Sequence, residues 1–248
     1  MQADFQRRIK GGKSVLTALV CLSLILSGCA RSDWERPVSS NDSGIELQKA
    51  QQLIRQGKYE AALMHLHEAL ILSPSDPNIY QNLGWLYLYT GEYDNAAREL
   101  EKLIKARPNA AGTLHLKAAL MAALGQHKEA VPLYKQALAL DEKNERLYFD
   151  ISTSLAELNQ YQEALNYLEA GFEKVPDKDF STQLNYLSAF CTVHAGLRDY
   201  KTAISECTQA AEATPSLQEK QRLTDLIHNM NLLERIDRPA SEATPKAH

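Results

Sequence analysis

Four cysteines, seven histidines and 31 carboxylates are the residues of this 248-residue chain that could do chemistry, and their spacing decides how much. His65 and His67 stand two apart, about 200° around a helix, so they cannot share a ligand face. His115, His127, His194 and His228 fall in separate stretches, with neither HExxH nor paired CxxC beside them. They are expected to be surface or packing imidazoles, with no metal site. GxSxG, GxGxxG and the GxxxxGK phosphate loop are absent too. The carboxylates are spread over what read as solvated helix faces. No catalytic residue, cofactor or small-molecule substrate is therefore expected; the enzyme alternative would need a site assembled from scattered residues. The cysteines fall in two pairs: Cys21 and Cys29 near the start, Cys191 and Cys207 in the body.

The elements that would position such residues repeat. Gly57, Gly91 and Gly125 are spaced by 34, and Ala62, Ala96, Ala130 and Ala164 keep the same step. Tyr59, Tyr93 and Tyr161 follow it with His127 in the missing slot; Pro74, Pro108 and Pro176 follow it with Glu142 between. Apolar residues such as Leu83/Tyr87 and Tyr148/Ile151/Leu155 recur at helical spacing. Each glycine falls at the bend after a first helix, where a left-handed conformation costs glycine nothing, and Asn159 takes that place in the fourth unit. The prolines mark where second helices stop. Gly84, Ala118 and Ser152 lie opposite Ala96, Ala130 and Ala164, which lets paired helices approach closely.

This period and these residue types, densest in Tyr80-x2-Leu83-Gly84-x2-Tyr87, Ala96-x3-Leu100 and Pro108, resemble the tetratricopeptide repeat. The resemblance implies an all-α solenoid, a right-handed superhelix of helix–turn–helix units. The units read 43–76, 77–110, 111–144 and 145–178, with a fifth near 184–217 after a five-residue slip. The extra residues are expected as a loop at Lys178, Asp179 and just beyond. Pro132, inside a second helix, predicts a mild kink. Residues 217–236, with Leu223, Leu226, Ile227, Met230 and Leu233, read as a terminal capping helix. Residues 237–248 read as a disordered tail.

In the family, first helices line a concave groove that holds a peptide or helix of a partner protein. Carried over by register, groove positions are Leu47, Gln51 and Ile54; Gln81, Trp85, Leu88 and Tyr89; His115, Ala119, Ala122 and Ala123; and Phe149, Thr153 and Ala156. Trp85, Leu88, Tyr89 and Phe149 have the composition of a binding hot spot. The alternative is that some of these pack under the N-terminal segment or the capping helix. Tyr80 and Tyr87 are assigned to the core. The Lys/Asn pattern by which chaperone-binding members clamp a C-terminal carboxylate is missing. The register also sets Cys191 and Cys207 on paired helices of the fifth unit, either bridged or as two buried thiols.

The first 28 residues differ from the rest. Arg7, Arg8, Lys10 and Lys13 precede an apolar run from Val15 to Leu26, too short to span a bilayer and shaped like a secretory signal. Leu26-Ser27-Gly28-Cys29 resembles the lipobox of bacterial lipoproteins. That resemblance implies cleavage before Cys29, lipidation of its thiol and, with Ala rather than Asp at 30, an outer-membrane anchor facing the periplasm. Residues 29–42 would then be a tether reaching about 45–50 Å when extended. Without residues 1–28 the chain stands three charges below its −4, too acidic for nucleic acid to be a partner. The layout, a lipobox plus about five repeats, is similar to repeat lipoproteins that assist pilus and secretin assembly. An adaptor for peptidoglycan hydrolases or synthases is the second scaffold reading.

Overall fold

In the computed structural model, residues 40–176 and 179–237 are described. They form eleven helices and no strand: α1 (Ser40–Arg55), α2 (Tyr59–Leu72), α3 (Pro77–Tyr89), α4 (Tyr93–Ala106), α5 (Ala111–Ala123), α6 (His127–Leu140), α7 (Glu145–Glu157), α8 (Tyr161–Phe172), α9 (Phe180–Gly196), α10 (Tyr200–Ala213) and α11 (Leu217–Asp237). Each odd-numbered helix up to α9 pairs with the even one that follows. The expected signal, Cys29, most of the expected tether and residues 238–248 lie outside the described residues. None of the described helices is long and apolar enough to cross a membrane.

The turns inside the pairs share one geometry. Gly57, Gly91 and Gly125 have φ of 71°, 76° and 76°, and Asn159 follows at 59°. In each turn the next amide reaches back to a carbonyl of the last helical turn, as Glu92 N does to Tyr87 O at 2.8 Å and Gln126 N to Met121 O at 2.9 Å. This closes the orphan carbonyls of the first helix and fixes the angle of the second. In the fifth unit the left-handed residue is Arg198, φ 62°. Gly196, the obvious glycine there, is still helical; a Cβ on it would sit inside the Tyr161 ring edge, 2.5 Å from Cδ1. That glycine serves close approach, and the turn falls to an arginine.

Two expected boundaries move. α1 starts at Ser40, so the last residues assigned to the tether belong to the first helix. The insertion before the fifth unit, expected as a loop, is largely helical: α9 starts at Phe180 and runs 17 residues against 13 in α3, α5 and α7. The extra residues mostly lengthen the helix by a turn. Asp179 explains the start: its carboxylate accepts from Thr182 N at 3.1 Å and from Thr182 Oγ1 at 2.7 Å, a side-chain cap. Residues 177 and 178, the other part of the expected loop, lie outside the described residues. Pro132 is accommodated within a single α6.

The core runs along the solenoid as four apolar clusters. The largest joins α5 to α9 through Leu147, Ile151, Leu155, Leu168 and Tyr186, all essentially inaccessible. Burying a leucine or isoleucine of this kind contributes about 1.5–3 kcal/mol. Ala62, Ala96, Ala130, Ala164 and Ala203 are buried at the pair interfaces. α11 closes the last unit by setting Leu223 and Met230 against Ala203, Cys207, Ala210 and Ala211, while Leu233 stays 44% exposed. Cys191 and Cys207 sit in that cluster, fully buried, with Cα atoms 5.2 Å apart and sulfurs at bonding distance.

Candidate partner-binding groove

Successive first helices touch one another, α1 with α3, α3 with α5, α5 with α7 and α7 with α9, so their unpaired faces form one continuous inner surface. Three of these helices leave their part of that surface sparsely charged. α3 and α9 contain no Asp, Glu, Lys or Arg, and α5 contains only Lys117. The paired second helices carry more of the charge, as in α4 with Asp94, Arg98, Glu99, Glu101, Lys102 and Lys105.

Trp85 and Tyr89 stack with ring centres 6.1 Å apart, and Tyr59 stacks on Tyr89 at 6.1 Å. Tyr89 is 44% exposed; Trp85 and Leu88 are half-buried, packed on the cluster of Leu100, Leu103 and Leu116. Gln81 lies across Gly112, where a Cβ would fall 2.6 Å from its Oε1. The ladder therefore has a rigid base and an open top.

His115 is a correction. Its register makes it a groove contact, but it is buried at 7% exposure beneath Trp85, the two rings meeting edge-on with centres 4.7 Å apart. Its Nε2 lies 2.7 Å from Asp150 Oδ2, and Arg146 Nε donates to Asp150 Oδ1 at 2.9 Å. The charge of Asp150 raises the Arg146 guanidinium above its usual range, against the opposing effect of desolvation. Burial, helped by the Asp150 charge, pushes the neighbouring Tyr134 phenol far above its usual range. The trio is a groove floor: a buried carboxylate needs both partners, and having them it locks α5 to α7.

Sequence reasoning missed Asp150 and Arg146. Their signal was the register itself, since Arg146 stands one turn before Phe149 on α7 and Asp150 directly after it.

Phe149 is half-buried against Tyr186, centroids 5.3 Å apart, and separates two cavities of about 690 and 330 Å³. Thr153 lines the larger one from the same helix. Leu47 and Ile54 pack on the first cluster, built from α1, α2 and α3; the N-terminal segment of the alternative reading lies outside the described residues. Ala119, Ala122 and Ala156 pack on the central cluster.

Two further histidines lie against carboxylates. His194 meets Glu206 at 2.7 Å, and His65 meets Glu46 at 2.6 Å. Glu46, His65 and Glu68 each bring one ligand atom within 4.8 Å of the others, and Lys49 holds the second oxygen of Glu46 at 2.7 Å. We read that group as a bridge between α1 and α2.

The inner face, the turns and the register agree with what a family comparison finds: the tetratricopeptide repeat profile matches residues 53–120 and 121–184. The chain belongs to the tetratricopeptide repeat family. Curated relatives of this tetratricopeptide repeat chain include the Hsp70-Hsp90 organizing protein of Triticum aestivum, 25% identical over 115 residues, 46% of this chain and 20% of that one. Tetratricopeptide repeat protein 37 of Xenopus laevis is 33% identical over 85 residues, 34% of this chain and 5% of that one. The chain thus spans a fifth or less of the length of these two relatives. Among solved structures, a thermophilic tetratricopeptide repeat protein of Thermus thermophilus superposes with a TM-score of 0.63 at 20% identity, covering 75% of this chain and 98% of that one. PilW, described as a widely conserved type IV pilus biogenesis factor, gives 0.59 at 16% identity, covering 81% and 95%. At such identities these likenesses establish the fold.

Proposed function

We propose that this chain is a scaffold held to the outer membrane by a lipid on Cys29, facing the periplasm, whose inner groove holds a peptide or helix of an envelope protein. The observation that carries the groove reading is the ladder of Trp85 and Tyr89 presented on an inner face to which α3, α5 and α9 bring one charged residue, Lys117, between them. A fold stabilises itself without an open aromatic ladder; aromatic rings left accessible on a rigid base are what binding hot spots are made of. The lipobox-like Leu26-Ser27-Gly28-Cys29 supports the anchor. The pilus or secretin assembly reading rests on layout, and the likeness to PilW supports it at the level of fold.

Capture of a partner by purified variants tests the groove. Tyr89→Ala, on a 44% exposed ring, is expected to change unfolding free energy by less than about 1 kcal/mol while weakening capture by about 2 kcal/mol or more. Trp85→Ala is expected to weaken capture likewise and also to cost stability, because it uncovers the His115 ring. Tyr87 packs on two clusters at once, so Tyr87→Ala serves as the destabilised control. Unchanged capture by both Tyr89→Ala and Trp85→Ala removes the groove from the account.

A further inference from the structure

The larger cavity beside Phe149 lies at the other end of the groove from Trp85, and its chemistry is specific. It holds about 690 Å³ between α7, α9 and the corner that leads into α11, a size typical of ligand-binding clefts. Its walls are Phe149, Phe180, Leu184, Ala189 and Pro215 together with hydroxyl groups. The sole charged group among its lining residues is Glu219, already held by Arg222 at 2.6 and 2.9 Å and by Ser188 at 3.3 Å. Phe180 on its wall is 76% exposed. Across Phe149, the smaller cavity is lined by Glu145 and Arg146, and Arg146 is bound to Asp150. Asn185 lines both cavities, is exposed, and its amide makes no hydrogen bond to another described residue.

We propose that this cavity seats one bulky apolar side chain of a partner protein segment that carries lysine or arginine on both sides of that anchor. The one charged group on its lining, Glu219, is already paired with Arg222, so a charged side chain entering it would lose its hydration without compensation. Asn185 supplies a donor and an acceptor at the ridge between the cavities, where an extended main chain or the end of a helix passes. The charge of the flanks follows from the net charge of the body as a whole. Residues 40–237 carry 27 Asp and Glu against 19 Lys and Arg, a field that draws a basic segment and repels an acidic one. The inference rests on the groove reading and adds a second station to it, with its own occupant.

Selection of a random peptide library displayed on phage against the protein, followed by anisotropy titration of a labelled consensus peptide, tests it. The expected consensus has a single large apolar residue between basic ones, and binding weakens as salt rises. Replacing the peptide's apolar residue by alanine is expected to weaken it at least tenfold. Phe149→Ala should do the same, and Asn185→Ala, on an exposed side chain that holds no structure, should weaken it several-fold. Tyr89→Ala should change it less than twofold.

A consensus peptide lost by Tyr89→Ala and indifferent to Asn185→Ala and Phe149→Ala would overturn this proposal and leave the groove reading standing. An acidic consensus would overturn the charge assignment and with it the proposal. Recovery of no peptide at all would count against both readings. Tighter peptide binding by a chain lacking residues 238–248 would make that tail the occupant and overturn the assignment to a partner.

Discussion

At the scale of single residues, the repeat rules explain the positions they name and leave visible the ones they do not. His127 occupies the slot held by Tyr59, Tyr93, Tyr161 and Tyr200 in the other units, and its Nδ1 is buried with no hydrogen-bond partner. An unpaired buried polar atom costs about 1–3 kcal/mol. His127→Tyr is therefore expected to raise unfolding free energy in urea by up to about 1 kcal/mol, with part of the gain lost to repacking. Gly171 is the opposite case. It stands in the register slot of Ala69, Ala137 and Ala210 in other units, yet a Cβ there would collide with the Tyr186 hydroxyl and lie 2.5 Å from Tyr148 Cβ. The Tyr186 hydroxyl donates to Glu145 O at 2.7 Å and cannot move away freely. Gly171→Ala is expected to destabilise by about 1–3 kcal/mol. The same measurement checks both variants, and opposite signs are the expected result. His115 shows what sequence position alone could not say: its register places it in the groove, but the carboxylate that buries it stands 35 residues on.

At the scale of elements, the helices were legible because their stop signals are local. Turn glycines, Asn159 and the terminating prolines each act within a few residues of themselves. The start of α9 was not legible, because the inserted residues continue the helix backwards to a cap at Asp179. That cap makes a pH-dependent prediction. The hydrogen bonds from Thr182 to Asp179 lower its carboxyl below the usual carboxylate range. A depressed folded-state value adds stability above the ordinary carboxylate range, and that stability is lost as pH falls through the depressed value. Asp179→Ala is expected to cost about 0.5–2 kcal/mol at neutral pH. The gap from the parent chain should close on acidification, as read by urea melts at both pH values. The helix pair α9–α10 carries a second test. If Cys191 and Cys207 are bridged, thiol labelling of the denatured, unreduced protein finds neither free. Reduction should then lower unfolding free energy by about 2–4 kcal/mol. Full labelling of both would leave them as buried thiols.

At the scale of the molecule, the arrangement separates two jobs. Small residues and leucines bind the pairs together, and first helices, of which α3, α5 and α9 hold one charged residue between them, are left to form a surface that contacts can use. α11 closes the series, which a solenoid needs because its last repeat would otherwise expose an apolar face. The sequence carried this architecture well, since a 34-residue period restates it from unit to unit. It carried the partner poorly, because a groove is described by which residues are left over after packing, and packing depends on neighbours a full repeat away. The proposed anchor belongs to this scale too. Cys29→Ser is expected to move the protein from the membrane fraction to the soluble one, and its recovery with membranes at the parent level would contradict lipidation.

The central claim is that the inner face is where a partner sits. A photo-crosslinking phenylalanine analogue placed at position 89, in the aromatic ladder, and separately at position 64, on the 67% exposed outer face of α2, tests it most directly in intact cells. The account predicts a discrete adduct with one envelope protein from position 89 and none from position 64. An adduct from position 64 with none from position 89 would contradict it.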